Sequence, residues 1–376
     1  MRVRRTCGQA APEYIAILLV VVAVLAGGAA VAGAVPGVGQ RVVGAVRAGI
    51  CIVGGDLCRD ADAAAAGLPP CLVRERGDRE DTTLDVAVVR FGAHGEWQLA
   101  LRSDGSAVVT RFEGNELGGT AGVGLTFSPL DVKAGASVAL TATYRVGRAW
   151  RFPDAAAARA FLDAARRGGV ARPPDLRWDA LGADATAEAK LAVADLASAG
   201  VAAAGDTALG VRREGARRTL TFDVGGDAPA LELDLPGFPS SPGTRRTVLA
   251  EVTWERGNPR ELVLRAATAS GDRQEEVTAR LDLRNAESRA LAERVLRPDD
   301  TAADLRALTR RIATHGSVER DGYTVSEERR GLRLGAKLGV ALGLSHERIS
   351  AERRLVDAVA WVHGGPPQRR FDCLGV

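Results

Sequence analysis

"LRLGAKLGVALGL", residues 332–344, alternates between apolar and other side chains along its whole length. Every even-numbered position holds Leu, Ala or Val, whereas the odd-numbered positions hold Arg333, Lys337, Ala341 and glycines. Successive side chains of a β-strand point to opposite faces, so a period of two is typical of a strand that buries one face. The stretch therefore predicts one long strand whose leucines pack onto a core.

The same period of two recurs through most of the chain on the N-terminal side of this stretch. Turn residues such as Asp104-Gly105 separate several of the segments, which is typical of antiparallel hairpins. The alternating segments are residues 97–102, 108–112, 138–146, 220–224, 231–235, 248–254, 262–264 and 277–283.

Helices are predicted between these strands. Pro153-Asp154 caps the segment 155–167, Asn285 or Ser288 opens a second helix, and Asp299-Asp300 precedes a third. Residues 185–203 are ambiguous between strand and helix. Runs of strands interrupted by helices predict fold class α+β, with long antiparallel β-meanders and interspersed helices.

The domain organisation follows from changes in composition along the chain. The Pro/Gly/Ser-rich loop at 235–246 is the best internal boundary, which predicts α+β subdomains at 81–240 and 241–376. A Gly- and Ala-rich neck at 36–80 precedes them.

The charge balance gives no sign of a polyanionic partner. The chain has 50 basic and 47 acidic residues, and the excess of three is matched by Arg2, Arg4 and Arg5 near the N-terminus. The remaining sequence is neutral overall, so no nucleic-acid partner is predicted.

An uncharged segment of 21 residues, 15–35, follows these arginines. At about 1.5 Å rise per residue it is about 30 Å long as a helix, which matches the hydrocarbon thickness of a bilayer. The arginines are expected to stay cytoplasmic. The predicted location is the cell membrane, with a single pass and the large C-terminal part outside the cytoplasm.

The cysteines divide on either side of this segment. Cys7 precedes it, and an even number of cysteines follows, which fits two disulfides in an oxidising compartment with three possible pairings. One arrangement ties Cys373 back to the neck. Their spacing lacks the close pairs of zinc sites, so no metal is predicted. The disulfide candidates are Cys51, Cys58, Cys71 and Cys373.

Gly8, four further residues and then Glu13-Tyr14 lead into the apolar segment. This pattern resembles the class III signal of type IV prepilins, in particular the Flp (Tad-type) pilins. The resemblance implies that residues 1–8 are a leader, that a prepilin peptidase cuts after Gly8, and that Gln9 becomes the N-terminus of a helix at 9–35. It also implies helix–helix assembly, in which Glu13 pairs with the new ammonium group of a neighbouring subunit. A retained signal anchor, or a signal peptide cleaved near Ala32, are the alternatives.

No linear motif for catalysis is present. His94, His315, His346 and His363 lack the spacing of metal or catalytic sites, and neither a G-x-S-x-G elbow nor a Walker A lysine occurs. Ser345-His346 could join a catalytic set in space, but nothing in the sequence selects it. We therefore predict a protein that is not an enzyme and has no cofactor.

These observations predict a pilin-like, membrane-anchored, surface-exposed protein that serves assembly or adhesion. The alternative is an anchored or secreted binding module that holds an apolar ligand in a curved β-sheet. A secreted hydrolase without a linear motif is a third hypothesis.

Overall fold

The computed structural model describes residues 56–86, 89–119, 125–127, 132–135, 140–169, 172–185, 189–193, 200–201, 205–226, 245–295, 302–337 and 341–374. The predicted leader, the predicted helix at 9–35 and Cys51 lie outside these residues. Within the described ranges, no helix has the length and apolar character needed to cross a bilayer.

Strands dominate the described chain, and four helices accompany them. The helices are α1 (Asp60–Ala65), α2 (Ala155–Arg166), α3 (Ala286–Val295) and α4 (Ala302–His315). The strands are β1 (Leu72–Val86), β2 (Val89–Arg102), β3 (Ala107–Gly119), β4 (Leu125–Phe127), β5 (Val132–Gly135), β6 (Leu140–Phe152), β7 (Leu176–Ala185), β8 (Ala189–Val193), β9 (Gly200–Val201), β10 (Gly205–Glu214), β11 (Arg217–Gly226), β12 (Arg245–Glu255), β13 (Asn258–Ser270), β14 (Arg273–Asp282), β15 (Ser317–Lys337), β16 (Ala341–Val362) and β17 (Gln368–Arg369).

Twelve of the described strands form a closed antiparallel barrel. The hydrogen-bonded order is β1-β2-β3-β6-β7-β10-β11-β12-β13-β14-β15-β16. β16 then pairs with β1 from Arg74↔Arg354 to Val86↔Leu342, which joins the two ends of the sheet. Closure leaves these edge strands with backbone partners on both sides. The short strands β4, β5, β8 and β9 form a separate sheet.

The predicted α+β fold class is wrong. The predicted meanders exist, but β16 also pairs with β1, so the strands close into a barrel. β11 and β12 pair from Arg217↔Glu255 to Gly226↔Arg246, on either side of the predicted boundary at 240/241, which itself lies outside the described residues.

The stretch at 332–344 is a hairpin, not one strand. β15 ends at Lys337 and β16 begins at Ala341, and these two residues pair. Leu334 pairs with Leu344, so even-numbered residues lie opposite even-numbered residues. The chain therefore reverses direction without breaking the alternation of apolar and other residues, so the sequence pattern does not reveal the turn.

Side chains that reach across an intervening strand identify the inner face of the barrel. Arg353 on β16 pairs with Glu276 on β14 at 3.1 Å, and Arg212 on β10 pairs with Glu251 on β12 at 3.7 Å. Such contacts require side chains that converge, as they do on the concave face of a closed sheet. Successive side chains of a strand point to opposite faces, so every second residue from these on the same strand also faces inward.

Helix α2 packs on the outer face of β2, β3 and β6. The Asp154 carboxylate caps the helix by accepting a hydrogen bond from the Ala157 amide at 2.8 Å, as the sequence predicts. Leu162 and Ala158 pack against Val109 and Trp150, which are buried. Trp97 also belongs to this outer core, since its ring stacks on Trp150 with centroids 6.2 Å apart.

Helices α3 and α4 cover the outer face of β12 to β15 at the same end of the barrel. Asn285 caps α3 by accepting hydrogen bonds from the amides of Glu287 and Ser288. The buried residues of this second outer core are Val252, Leu262, Val277, Ala279, Leu281, Leu283, Leu291, Ala292, Leu308, Ile312 and Val318.

The C-terminal tail lies against the inner face at this helical end. Cys71, at the start of β1, forms a disulfide with Cys373, which is fully buried. Arg370 is also fully buried and bonds to Glu319 and Asp372. The tail therefore joins the first and last strands of the barrel.

We expect loss of the Cys71–Cys373 bond to destabilise the barrel. The two cysteines are 302 residues apart, and closing so long a loop removes much entropy from the unfolded chain, worth about 5 kcal/mol in the chain-entropy model. Chemical denaturation of Cys373→Ser in detergent should give a clearly lower midpoint than the oxidised wild type. An unchanged midpoint would contradict this expectation.

Candidate functional site

The inner face of the barrel is lined by ion pairs. Arg353 donates to Glu75 on the neighbouring strand at 2.9 Å as well as to Glu276. Two strands further along the wall, on β12, Glu251 is buried and lies 3.7 Å from Arg212 and 3.9 Å from Arg265. Inner walls of soluble barrels are usually apolar, so this lining is typical of a lumen that contacts water.

A second group of charges lies between the tail and β15. Glu319 bonds to Arg370 and lies 3.4 Å from Arg280. Asp321 Oδ1 is buried and accepts no hydrogen bond from any described residue. Burial, reinforced by Glu319 and Glu276, raises the pKa of Asp321 to about 7. This carboxyl group therefore changes its charge near neutral pH.

A small cavity lies in the inner wall where β1, β2, β3 and β6 run side by side. Its volume is about 130 Å³, and its lining includes Arg79, His94, Glu96, Gln98 and Arg145. We call it the wall niche. Gly114 makes room for it, because a Cβ there would lie 2.8 Å from His94 Cδ2 and 3.2 Å from Arg145 Cγ.

Aromatic rings pack beside the wall niche. Phe112 lines the niche and meets Trp178 edge to face, with ring centroids 4.9 Å apart. The Trp178 ring lies over Gly147 on the strand between them, where a Cβ would overlap the ring. Glycine is thus required at Gly147 for the two rings to meet on the inner face.

Exposed apolar residues cluster on the outer face at the end of the barrel opposite the helices, and we call this cluster the apolar patch. It consists of Leu84, Phe91, Leu332, Leu334 and Leu344, which are 44%, 49%, 61%, 56% and 46% exposed. Leu84 pairs with both Phe91 and Leu344, and Leu344 pairs with Leu334, so the patch is continuous over four strands. Leu332, Leu334 and Leu344, which the sequence predicts to face a core, therefore face outward.

A belt of charged residues borders the apolar patch. Arg348 donates to Glu80 at 3.0 Å, and Arg330 lies opposite Arg348 in the next strand. Only one outward position, occupied by Leu332 on β15, separates Arg330 from Leu334 along the strand. On β15 the outer surface thus changes from the charged Arg330 to the apolar Leu332 at successive outward positions.

Of the predicted site residues, the structure describes Cys58, Cys71 and Cys373, and it joins Cys71 to Cys373. Gly8, Gln9, Glu13 and Tyr14 lie outside the described residues, so their proposed processing and assembly roles stay predictions. Cys58 is disulfide-bonded. The described cluster of Cys71, Asp372 and Cys373 has suitable atoms for a metal, but its two sulfurs are joined to each other.

The four histidines do not come together in one site, although His315 and His363 are neighbours. His363 Nδ1 lies 3.1 Å from the carbonyl oxygen of His315, and His346 Nδ1 lies 3.1 Å from Thr82 Oγ1. Ser345 points inward and His346 outward, so this pair is not combined in one site. His94 alone lines the wall niche, and no motif in the sequence could have selected it.

No protein-family model matches the chain, and no curated protein matches its sequence. A deltaS2 mutant of the monoaromatic hydrocarbon channel TodX is 11% identical over 78% of this chain and 92% of that one, with a TM-score of 0.18. The toluene transporter TodX of Pseudomonas putida is 8% identical over 78% and 91%, with a TM-score of 0.18. OpdL of Pseudomonas aeruginosa is 9% identical over 76% and 98%, with a TM-score of 0.20. Scores this low establish no relationship, and the fold of this chain is defined by its own strand pairing.

The predicted pilin-like function is wrong. The folded chain is a closed barrel with a charged lumen, and its described helices are short and pack on the barrel or its tail. Helix–helix assembly and a prepilin peptidase partner were inferred from the N-terminal pattern alone, and the barrel gives them no support. The alternative, a module with a curved sheet around a ligand, agrees better with the closed barrel.

The predicted single-pass localisation is wrong for the same reason. It treated residues 36–376 as an exported α+β domain hanging from one helix. The barrel instead exposes an apolar surface of its own, so the fold does not correspond to a water-soluble domain on an anchor.

We expect the stability of the barrel to fall as pH rises from about 4 to about 7. The pKa of Asp321 is raised in the folded state, so folding favours the protonated carboxyl, and this stabilisation is present below the unfolded pKa and lost as pH passes 7. The effect is of the order of a few kcal/mol. Denaturation midpoints between pH 4 and pH 8 should show this slope in the wild type and a much weaker one in Asp321→Asn. Asp357→Asn, on the outer face, is the control and should keep the slope; a slope retained in Asp321→Asn would contradict the assignment.

Proposed function

We propose that this chain is a non-enzymatic β-barrel that inserts the end bearing the apolar patch into a lipid membrane and provides a polar lumen for the passage of polar solutes. The observation that carries the proposal is the combination, on the same strands, of exposed leucines outside and polar side chains inside. Leu84 and Leu344 face outward, while Thr83 and Ser345 bond to each other on the inner face.

Apolar residues outside and polar residues inside are the pattern of membrane-spanning barrels. Such a barrel is suited to lipid because each barrel strand pairs on both sides and leaves no open edge. Water-soluble barrels of this size bury their apolar faces, and a continuous exposed patch on them marks a site of interaction.

The length of the patch fits entry into a bilayer. From Arg330 in the charged belt to Lys337, the chain advances seven residues, or roughly 23 Å along the strand at 3.3 Å each. Barrel strands tilt by about 35–45°, so this corresponds to roughly 16 to 19 Å along the barrel axis. The apolar band of membrane barrels is about 25 Å tall. The hairpin of β15 and β16 therefore extends far enough beyond the charged belt to reach the hydrocarbon region.

The helical end of the barrel is suited to water. Arg159, Asp163 and Arg166 lie on the exposed side of α2, and Arg306 and Arg310 lie on that of α4. Charged groups at these positions would be costly to place in lipid. These features orient the barrel, with the apolar patch in the membrane and the helices outside it.

The chemistry of the lumen favours polar over apolar solutes. Arg353, Glu276, Glu251 and Arg212 project into it, and their ion pairs would lose hydration if an apolar ligand filled the space. The alternative of a bound apolar ligand keeps the curved sheet, but the apolar rings of Phe112 and Trp178 share the inner face with these ion pairs.

The triple variant Leu332→Glu, Leu334→Glu and Leu344→Glu should lose membrane association. Each glutamate places a charge where the proposal puts hydrocarbon, at a cost of up to about 2 kcal/mol per site. Flotation of the purified full chain with phosphatidylcholine vesicles measures this, and the bound fraction should fall at least tenfold.

Val356→Glu is the matched control for this experiment. Val356 is also exposed, at 53%, but it lies on β16 near the helical end and away from the apolar patch. It should float like the wild type. Because the apolar segment at 15–35 is present in every variant and can also bind a vesicle, flotation is judged together with the current measured below. Equal flotation and equal current of the wild type and the triple variant would refute insertion through the patch.

Reconstitution into a planar bilayer tests the lumen separately. The wild type should give stepwise ionic currents in potassium chloride, and the triple variant should give none because it does not insert. Vesicle-bound protein that carries no current would contradict passage through the lumen while leaving membrane insertion intact.

A further inference from the structure

The wall niche contains polar groups that the protein itself leaves unsatisfied. Both ring nitrogens of His94 are buried and have no hydrogen-bond partner among the described residues. Asp81 Oδ1 lies 3.5 Å from His94 Nδ1, but it accepts its hydrogen bond from Arg79. Arg145 is solvent-exposed and forms no hydrogen bond or ion pair with any residue that the structure describes. Buried polar atoms normally find partners, so the His94 ring points to something that binds there.

The cations of the wall niche are not equivalent. Arg79 donates to Asp81 at 2.7 Å, so its charge is already balanced. The Arg145 guanidinium has no such carboxylate, and its side chain lies across Gly114 from His94. Together these two side chains offer a cation and a ring nitrogen to a single acceptor group, and a carboxylate is the usual partner of a guanidinium.

The carboxylate of Glu96 lies in the same cavity. Glu96 accepts a hydrogen bond from the Gln98 amide at 2.6 Å, but it forms no ion pair with the described residues. Its Oε1 lies close to Gly77, where a Cβ would come within 3.2 Å. The wall niche thus presents one unbalanced cation and one unbalanced carboxylate.

We propose that the wall niche binds a small zwitterion of the amino-acid type, with its carboxylate on Arg145 and His94 and its ammonium group on Glu96. This inference rests on the proposed function, because the solute would reach the wall niche through the lumen. A ligand with both charges balances the two groups at once, whereas a simple anion or cation would leave one of them unpaired.

The size of the wall niche limits the ligand. A volume of about 130 Å³ corresponds to about four water molecules at roughly 30 Å³ each. That is room for the backbone atoms of an amino acid with a small side chain, and Phe112 provides an apolar surface beside it. Larger solutes would have to extend into the open lumen.

Calorimetric titration of the full chain in detergent with glycine tests the proposal. Glycine should bind saturably with one site per chain, and acetate or methylammonium alone should bind at least tenfold more weakly. Arg145→Gln and Glu96→Gln should each weaken glycine binding at least tenfold, because each leaves one charge of the ligand unpaired.

A pair of glycine variants controls for loss of structure. Gly114→Ala places a methyl group between His94 and Arg145 and should weaken binding without removing a polar group. Gly95→Ala is the matched control, because a Cβ there meets nothing within 4 Å, and it should bind like the wild type. Circular dichroism should be the same for both variants.

Three outcomes would overturn the proposal. These are no saturable binding of glycine by the wild type, acetate binding as tight as glycine with Glu96→Gln unaffected, or equal binding by the two glycine variants. The titration needs no membrane, so its failure is distinct from that of the proposed function. A chain that binds glycine but carries no current would refute the passage alone, and one that carries current without binding glycine would refute the site alone.

Discussion

The pairing of β1 with β16 is the contact that makes this chain a barrel. Its register runs from Arg74↔Arg354 to Val86↔Leu342 and joins the two ends of a continuous meander. Without it the sheet would have two long open edges, which are prone to pair with other chains. Arg353 reinforces the closure, since it binds Glu75 across the joint and Glu276 across β15. The disulfide between Cys71 and Cys373 holds the same joint at the helical end.

Closure gives the two faces of every strand different surroundings. On the concave face side chains converge, so charges on strands two apart can pair, as Arg212 and Glu251 do. On the convex face side chains diverge, and they are covered only where a helix packs on them. Helices α2, α3 and α4 bury one end of this outer surface, whereas the leucines of the apolar patch at the other end have no described cover. The contrast between the two ends is the physical basis for the proposal that the apolar end enters lipid and the helical end stays in water.

The local elements could be predicted from the sequence to a large extent. The Asp104-Gly105 turn is present, with Gly105 at φ +82°, and the helix predicted after Asp154 begins there. The period of two correctly located most of the barrel strands. The hairpin within 332–344 was missed because its register pairs residues of the same parity. The wall niche was missed because four strands supply its residues, and no linear motif joins His94 to Arg145.

The amino-acid sequence thus decides local structure: where the chain is extended, where it is helical, and which residues share a face of a strand. Only the assembled barrel decides which of the two faces is inside. Alternation is symmetric, so a row of leucines such as Leu332 and Leu334 looks the same whether it meets a protein core or faces outward. The choice depends on contacts between residues far apart in the chain, such as Arg353 and Glu75, and these exist only once the barrel has closed.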